Sequence, residues 1–328
     1  MGCFPPLLRR PAGGSRHIRA ARLAAAVGAL ALTASCSAGA PGTGRTSGTP
    51  APTPTETPMA APVSALINQL RDNYSQHIIA VQLTNTTVTP VTVLGAAVVS
   101  PLFSGTIEWQ PAPGGIELPP GQTRILPAQL RAPECGVRTA PPDAGAEVEI
   151  RFAGDSDAVP PTTLPATTVP ATDPYKVLDR NNAEMCLVQS AAAVAGIRLE
   201  PDLEVSADAQ SAVLTLAITP RSTPGGANPG STESLTINRV DGTTLIQEDL
   251  AAPWPISVSV QAGGASQQFR LGIRPARCDP HAIADDKVGT LVPLRVTAGG
   301  RDGVLKIDAG AQLRGRIYEF ITTACGRQ

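Results

Sequence analysis

The sequence predicts an all-β protein built from two β-sandwiches in tandem, and three observations support this prediction. Short segments rich in Val, Ile and Thr recur about every ten residues, separated by Gly, Pro, Asn and Asp. An internal repeat of about 144 residues runs through the C-terminal part of the chain. Each copy of the repeat contains two Cys at matching positions. The length of 328 residues also fits about two domains.

Residues 1–35 have the composition of a secretory signal. They contain five Arg and no acidic residue, and the apolar stretch from Leu23 to Leu32 is followed by small side chains. This stretch is much shorter than the roughly 20 residues that a membrane-spanning helix needs. We therefore expect residues 1–35 to be removed during export.

The end of this segment reads Leu32-Thr33-Ala34-Ser35-Cys36. It resembles the lipobox of bacterial lipoprotein precursors, although Thr33 stands where the motif usually has Leu. The resemblance implies that Cys36 receives a diacylglyceryl thioether and becomes the acylated N-terminus of the exported chain. At about 0.8 kcal/mol per buried CH₂, the acyl chains would hold the protein on the extracytoplasmic face of the cell membrane. The alternative is an ordinary secreted protein with a Cys near its cleavage site.

The composition predicts a disordered tether over residues 36–62. This stretch consists almost entirely of Ser, Thr, Gly, Ala and Pro, which cannot bury enough apolar surface to fold. Two further low-complexity stretches lie deeper in the chain. We expect residues 160–174 to form an extended loop inside the first domain, and residues 221–231 to form an insertion in the second.

A short helix is expected over residues 63–73, because Val63, Leu66, Ile67 and Leu70 have helical spacing. The alternative is that this segment extends the linker. Beyond it, the Val-, Ile- and Thr-rich segments are candidate strands. They cover residues 78–84, 91–99, 125–130, 147–152, 212–219, 234–240, 256–260, 268–274, 291–297 and 315–322.

The internal repeat divides the exported chain into two similar domains. The matching pairs keep one order and nearly one offset: Val91 with Leu235, Trp109 with Trp254, Cys135 with Cys278, Arg151 with Arg295, and Cys186 with Cys325. We therefore expect a first domain over residues 63–192 and a second over residues 193–328. The boundary is expected near residues 188–196.

Four Cys remain after Cys36, and an even number in an exported chain predicts disulfides. Of the three possible connectivities, the repeat favours a bridge within each copy. We predict Cys135–Cys186 and Cys278–Cys325. With a repeated Trp in each copy as well, both sandwiches are expected to be immunoglobulin-like.

A metal site is the alternative reading for the second copy, which continues Cys278-Asp279-Pro280-His281. These are ligand types for zinc or copper, so His281 and Asp279 are weak candidate ligands. The first copy has no His at the equivalent place. We therefore predict no bound metal and no cofactor. Weak calcium binding is a further alternative at the acidic pairs Asp155 with Asp157 and Asp285 with Asp286.

The repeated Trp and Arg residues each have two interpretations. Trp109 and Trp254 are expected to pack inside their sandwiches, with a ligand-stacking role as the alternative. The pairs Arg131 with Arg274 and Arg151 with Arg295 are expected to point outward from strands. A shared role in binding carboxylates is the alternative for these arginines.

Charge and motifs favour binding over catalysis. The near-zero net charge of the full chain and its three Lys argue against nucleic acid as a partner. Removing five signal Arg leaves 21 basic against 27 acidic residues, a net charge of −6, which disfavours binding to anionic lipid head groups. No nucleophile elbow, His-Glu-x-x-His or phosphate-binding loop occurs in the sequence. His77 and His281 are the only imidazoles after the signal.

The expected protein is a lipid-anchored, extracytoplasmic binding or structural protein, not an enzyme, whose partner is another protein or a component of the cell envelope. The Arg bias and the richness in Ala, Pro, Gly and Thr resemble uncharacterised secreted proteins of actinobacteria, a resemblance that implies no activity. The alternatives are a solute- or metal-binding lipoprotein, and a cell-envelope enzyme or an accessory subunit of one.

Overall fold

The computed structural model describes residues 61–136, 145–154, 165–222, 234–284, 286 and 288–326. The expected signal segment, nearly all of the tether and Cys36 lie outside these ranges. Most of the expected insertion at residues 221–231 lies outside them as well.

Sixteen strands and three α-helices follow one another along the described chain, in two units. The first unit comprises β1 (Val63–Asn68), β2 (Ile78–Asn85), β3 (Val91–Val99), β4 (Ile107–Trp109), β5 (Ile116–Leu118), β6 (Thr123–Gln129), β7 (Glu147–Phe152), β8 (Thr167–Thr172) and α1 (Val177–Val194). The second unit comprises β9 (Ala195–Val205), β10 (Ala212–Pro220), β11 (Ser234–Val240), β12 (Ile246–Glu248), β13 (Val258–Gln261), β14 (Gln267–Pro275), α2 (Pro280–Ala284), β15 (Leu291–Ala298), β16 (Arg301–Asp308) and α3 (Gly310–Cys325).

The strands of the first unit form one sheet that closes on itself. Their order is β4-β6-β2-β1-β8-β7-β3-β5, and β3 also pairs with β4. Strand β1 joins the two layers, because it pairs antiparallel with β2 and parallel with β8. The result is a flattened, closed sandwich.

The second unit repeats this strand order in two separate four-stranded sheets. Their orders are β12-β14-β10-β9 and β13-β11-β15-β16, which are the orders of the first unit with eight added to each strand number. In both units the first, second and sixth strands share one layer, and the third, seventh and eighth share the other. This is the arrangement of immunoglobulin-type sandwiches. The prediction of an all-β protein with two tandem immunoglobulin-like sandwiches is confirmed.

Alternating side chains build each core and leave polar residues on the outer face. In β7, Val148, Ile150 and Phe152 are buried whereas Glu149 and Arg151 are exposed. Each unit encloses its own cluster of buried apolar side chains. The alternation therefore determines which charged residues line the outer surface of the sheet.

Helix α1 contributes to both cores. Val177 and Leu178, at its start, belong to the first core, whereas Leu187, Ala191 and Val194 belong to the second. Residues 188–196, where the boundary is expected, form the end of this helix and the start of β9. Helix α1 is not among the elements predicted from the sequence. A helix that buries side chains in two different cores shows no single apolar stripe.

Three predicted elements are corrected by the structure. The helix predicted over residues 63–73 is wrong: Val63, Ala65 and Ile67 alternate inward on β1, and pairing with β2 and β8 overrides the helical spacing. The strand predicted over residues 315–322 is wrong, because this segment lies in α3. The loop predicted over residues 160–174 is wrong in part, because β8 occupies its C-terminal half and pairs with β7.

Both predicted disulfides are present. Cys135 is bonded to Cys186 and Cys278 to Cys325, with Cα–Cα distances of 5.4 and 5.3 Å. In each unit the bridge joins the segment after the sixth strand to the C-terminal helix, α1 or α3. The duplicated unit therefore includes this helix as well as the sandwich.

Candidate functional site: matching concavities on the two sandwiches

The outer face of the first sandwich carries a small group of charged side chains on β3, β4 and β7. Gly95 on β3 lies opposite Arg151 on β7, and Ala97 lies between Glu149 on β7 and Glu108 on β4. Residues directly opposite one another in antiparallel strands point to the same face of the sheet. These side chains therefore surround the small residues Gly95 and Ala97.

The charged side chains border a concavity of ≈290 Å³. Trp109, Pro111 and Ala166 give it an apolar wall. Trp109 also packs in part against the first core, as expected, so that it serves the core and the concavity together. Within the described ranges, no hydrogen bond is formed by its indole N–H.

Arg151 lies directly over the backbone of Gly95. A Cβ atom at position 95 would be 2.6 Å from Nη2 of Arg151, closer than real Cβ contacts. A larger residue at this position would displace the guanidinium group. Glycine at position 95 therefore makes room for Arg151 on the sheet surface.

The charges of the first concavity are not neutralised by one another. Arg151 forms no hydrogen bond or ion pair with any described residue, and the same holds for Glu149. The carboxylate of Glu108 accepts hydrogen bonds from the Thr106 hydroxyl at 3.2 Å and the Gln110 amide at 3.4 Å. Within the described part of the chain, the Arg151 guanidinium and the Glu149 carboxylate are thus both unpaired.

The second sandwich has a matching concavity, with a volume of ≈410 Å³. Arg239 on β11 lines this concavity and lies opposite Arg295 on β15. Both arginines bind the carboxylate of Asp241 through Nε, at 2.8 Å for Arg239 and 2.7 Å for Arg295. Asp241 therefore fills the space between the two guanidinium groups.

The Trp of the second concavity is fully integrated into the fold. Trp254 is 8% exposed, and its indole N–H donates to the carbonyl of Gly272 at 2.7 Å. Its backbone N–H donates to Glu248 at 2.8 Å. The expectation that this Trp packs inside its sandwich is confirmed.

The two concavities are equivalent in strand register. Strand β3 has an irregularity between Val93 and Gly95, and Gly95 then pairs with Arg151. Strand β11 has the same irregularity between Ile237 and Arg239, and Arg239 then pairs with Arg295. Two residues further on, Asp241 directly follows the last residue of β11, whereas the equivalent Ala97 lies within β3. The first sandwich thus has an arginine, Arg151, at the position of Arg295, but it has no carboxylate at the position of Asp241.

The other repeated arginine pair, Arg131 with Arg274, does not line these concavities. Arg131 donates through Nε to the carbonyl of Thr106 at 3.1 Å. Arg274 is exposed on β14. Both point outward, as expected.

The weak metal candidates have other partners. Cys278 is bonded to Cys325, and the carboxylate of Asp279 accepts a hydrogen bond from the backbone N–H of His281 at 2.9 Å. In the part of the chain that the structure describes, no three His, Cys, Asp or Glu side chains are grouped to hold a metal ion. Asp155, Asp157 and Asp285 lie outside the described residues.

Neither described imidazole is hydrogen-bonded to a carboxylate in the described ranges. His77 has a left-handed backbone conformation with φ of 52°, and its buried Nδ1 has no hydrogen-bond partner there. No helix among the described residues combines the length and the apolar character that crossing a bilayer requires.

No protein-family model matches the chain, and no curated protein matches it. Among solved structures, it is similar to the BSP domain of a biofilm-associated protein at 7% identity and a TM-score of 0.20, covering 77% of this chain and 61% of that one. For red sea bream transglutaminase the identity is 11% and the TM-score 0.18, over 76% of this chain and 31% of that one. For the CsuC–CsuE chaperone–tip adhesion subunit complex of Acinetobacter baumannii, the identity is 11% and the TM-score 0.17, covering 75% of this chain and 98% of that one. These TM-scores are too low to define the fold, which is shown by the strand order of this chain.

Proposed function

We propose that the protein is a lipid-anchored, extracytoplasmic binding protein whose first sandwich carries the ligand site. One observation supports the site above all others. Arg151 has no partner among the described residues, whereas Arg295, at the same strand register in the second unit, is bound to Asp241 at 2.7 Å. An exposed guanidinium beside an apolar wall is suited to bind an anionic group.

The proposed location follows from the N-terminal sequence and the disulfides. Cys36 ends a lipobox-like motif, and disulfides such as Cys135–Cys186 and Cys278–Cys325 are typical of proteins that fold in an oxidising compartment. The tether of residues 36–62 would hold the sandwiches away from the membrane surface. In this proposal the lipid anchors the chain, and the first concavity faces a soluble or cell-envelope ligand.

Binding is favoured over catalysis by the chemistry of the concavity. Arg151, Glu149 and Trp109 offer ionic, hydrogen-bonding and apolar contacts. General acid–base catalysis most often uses a positioned imidazole, and neither His77 nor His281 lines this concavity. The second concavity is not the ligand site in the proposal, because Asp241 already pairs with its arginines.

The lipid anchor is tested by replacing Cys36 with Ala and fractionating cells. We expect the variant to leave the membrane fraction for the soluble or secreted fraction, because the acyl chains would supply the membrane affinity. Cys3→Ala is the matched control, since Cys3 lies in the segment expected to be removed and its loss should leave fractionation unchanged. A Cys36→Ala protein that stays with the membrane contradicts the anchor.

The binding site is tested by thermal unfolding of the purified exported chain with a panel of carboxylates, sugars, short peptides and divalent metal ions. A compound that binds the folded state at 100 times its Kd adds about 2.7 kcal/mol of stability, which raises the Tm by several degrees. We expect at least one such rise, lost in Arg151→Ala and kept in Arg274→Ala. A rise that survives Arg151→Ala places the site elsewhere, and no rise with any compound counts against a ligand-binding protein.

A further inference from the structure

The matching concavities point to the chemical class of the ligand. We propose that the first concavity binds a zwitterionic ligand of the amino-acid type, whose carboxylate takes the position that Asp241 occupies in the second sandwich. This inference rests on the proposed function and makes it more specific.

The second sandwich shows what this strand register binds. Its Asp241 carboxylate receives charge-assisted hydrogen bonds from Arg239 and Arg295, at 2.8 and 2.7 Å. Asp241 is itself 24% exposed, so the carboxylate lies at the surface of the concavity. A carboxylate supplied from solution can therefore reach the equivalent point in the first sandwich.

Among the described residues, the first sandwich lacks both the carboxylate and the second arginine at this register. Ala97 carries only a methyl group where Asp241 carries its carboxylate, and Gly95 carries no side chain where Arg239 carries its guanidinium. Arg151 is retained above Gly95. A ligand carboxylate over Ala97 would pair with Arg151, as the Asp241 carboxylate pairs with Arg295 in the second sandwich.

The acidic side chains beside Ala97 disfavour a ligand that carries only a carboxylate. Glu149 and Glu108 flank Ala97 on the adjacent strands, about 5 Å to either side. Both would repel a ligand that carries only negative charge. An ammonium group one carbon away from the ligand carboxylate would instead pair with these acids. This combination of one exposed cation and two exposed carboxylates fits an α-amino acid or a peptide end with both groups close together.

The wall of the concavity adds an apolar contact. Trp109, Pro111 and Ala166 lie beside the charged groups, and the volume of ≈290 Å³ is at the lower end of the range for small-molecule sites. An amino acid with an aliphatic side chain can use both parts of the site. L-leucine is therefore a suitable probe.

The experiment compares L-leucine with two analogues that each lack one charge, 4-methylpentanoate and isoamylamine, at constant ionic strength. The chain has two Trp, so its ¹H–¹⁵N spectrum contains two indole signals. We expect L-leucine to shift the Trp109 signal saturably and to leave the Trp254 signal unchanged. Each analogue should bind at least tenfold more weakly. Equal binding of 4-methylpentanoate overturns the zwitterion, and no saturable shift with L-leucine overturns the proposal.

A substitution copied from the second sandwich provides the decisive variant. Ala97→Asp places an internal carboxylate beside Arg151, and we expect it to weaken L-leucine binding at least tenfold although Arg151 and Trp109 remain. Ala97→Ser is the control and should retain binding. Arg151→Gln removes the cation at an exposed position, and it tests the same contact should Ala97→Asp reduce folding. L-leucine binding that is unchanged in Ala97→Asp and Arg151→Gln overturns the proposal.

The reciprocal variant should create a site in the second sandwich. Asp241→Ala frees Arg239 and Arg295, which are 57% and 50% exposed and so cost little stability when unpaired. Pro293 stands where the first sandwich has Glu149. We therefore expect 4-methylpentanoate to shift signals of β11 and β15 in this variant more strongly than L-leucine does. No gain of binding contradicts the equivalence of the two positions.

These outcomes separate the two proposals. A different compound that raises the Tm through Arg151, together with no L-leucine binding, rejects the amino-acid ligand and keeps the proposed function. Loss of both responses rejects both.

Discussion

At the residue scale, the central feature is the different treatment of one arginine in two copies of the same unit. Arg295 is tied to Asp241, whereas Arg151 faces Ala97 and Gly95. An exposed ion pair contributes about 0.2 to 1 kcal/mol, so the internal pair is a modest stabilising contact rather than a requirement of the fold. The first copy can lose it without losing its structure.

This difference predicts unequal effects on stability. We expect Arg151→Ala to change the free energy of unfolding by less than about 0.5 kcal/mol, because the side chain has no described partner. Arg295→Ala should lower it by about 0.5 to 1 kcal/mol, because Asp241 loses one of its two cations. Urea unfolding of both variants at low salt measures the difference. A larger loss in Arg151→Ala would indicate a structural role for that residue.

The sequence singles out only part of the site. Arg151 and Trp109 were recognisable because both recur in the repeat. Gly95 and Ala97 were not, because what matters there is a missing side chain. Only a comparison of the two copies at β3 and β11, once their register is known, shows that Ala97 replaces a carboxylate.

At the scale of elements, strands were predictable where one face is buried and the other is exposed to solvent. The alternation in β7 is an example, because Val148 and Ile150 are buried between exposed charges. Helix α1 was missed because its apolar residues serve two cores. The segment at β1 was mistaken for a helix because Val63, Leu66, Ile67 and Leu70 have helical spacing, although of these only Val63 and Ile67 are buried.

Helix α1 gives a direct test of its role in the second core. Leu187 is 3% exposed and packs against β16 near Gly303, whereas its neighbour Val188 is 54% exposed. We expect Leu187→Ala to lower the free energy of unfolding by about 2 to 5 kcal/mol. Val188→Ala, the matched control, should change it by less than about 0.5 kcal/mol. Denaturant unfolding followed by circular dichroism makes the comparison, and similar effects of the two substitutions would contradict the assignment of α1 to the second core.

At the scale of the whole molecule, the duplication extends beyond the sandwiches. Each unit has eight strands in the same order, a C-terminal helix and a disulfide that fastens this helix to the segment after the sixth strand. The two copies are also linked by α1, and by Arg301 of β16, which donates to the carbonyl of Cys135. The units therefore share an element and not only a linker.

A comparison of two fragments tests this sharing. A fragment of residues 193–328 lacks Leu187 and Ala191, whereas a fragment of residues 173–328 with Cys186→Ala contains all of α1. We expect the free energy of unfolding of the longer fragment to be higher by about 2 to 5 kcal/mol, because the shorter fragment leaves part of the second core exposed to solvent. Thermal and urea unfolding would measure this. Equal stability of the two fragments would mean that the second unit is complete without α1.

The parallel pairing of β1 with β8 has a mechanical consequence. The chain enters the first unit at the start of β1 and leaves it through β8 and α1. Because these two strands are parallel, a pull on the N-terminal segment against the second unit drags them past each other along their length. The pairing of Ala65 and Leu66 with the end of β8 is then loaded in shear. The paired residues share the force and do not separate one after another. A pull between the two ends of the first sandwich is thus resisted in shear where β1 meets β8.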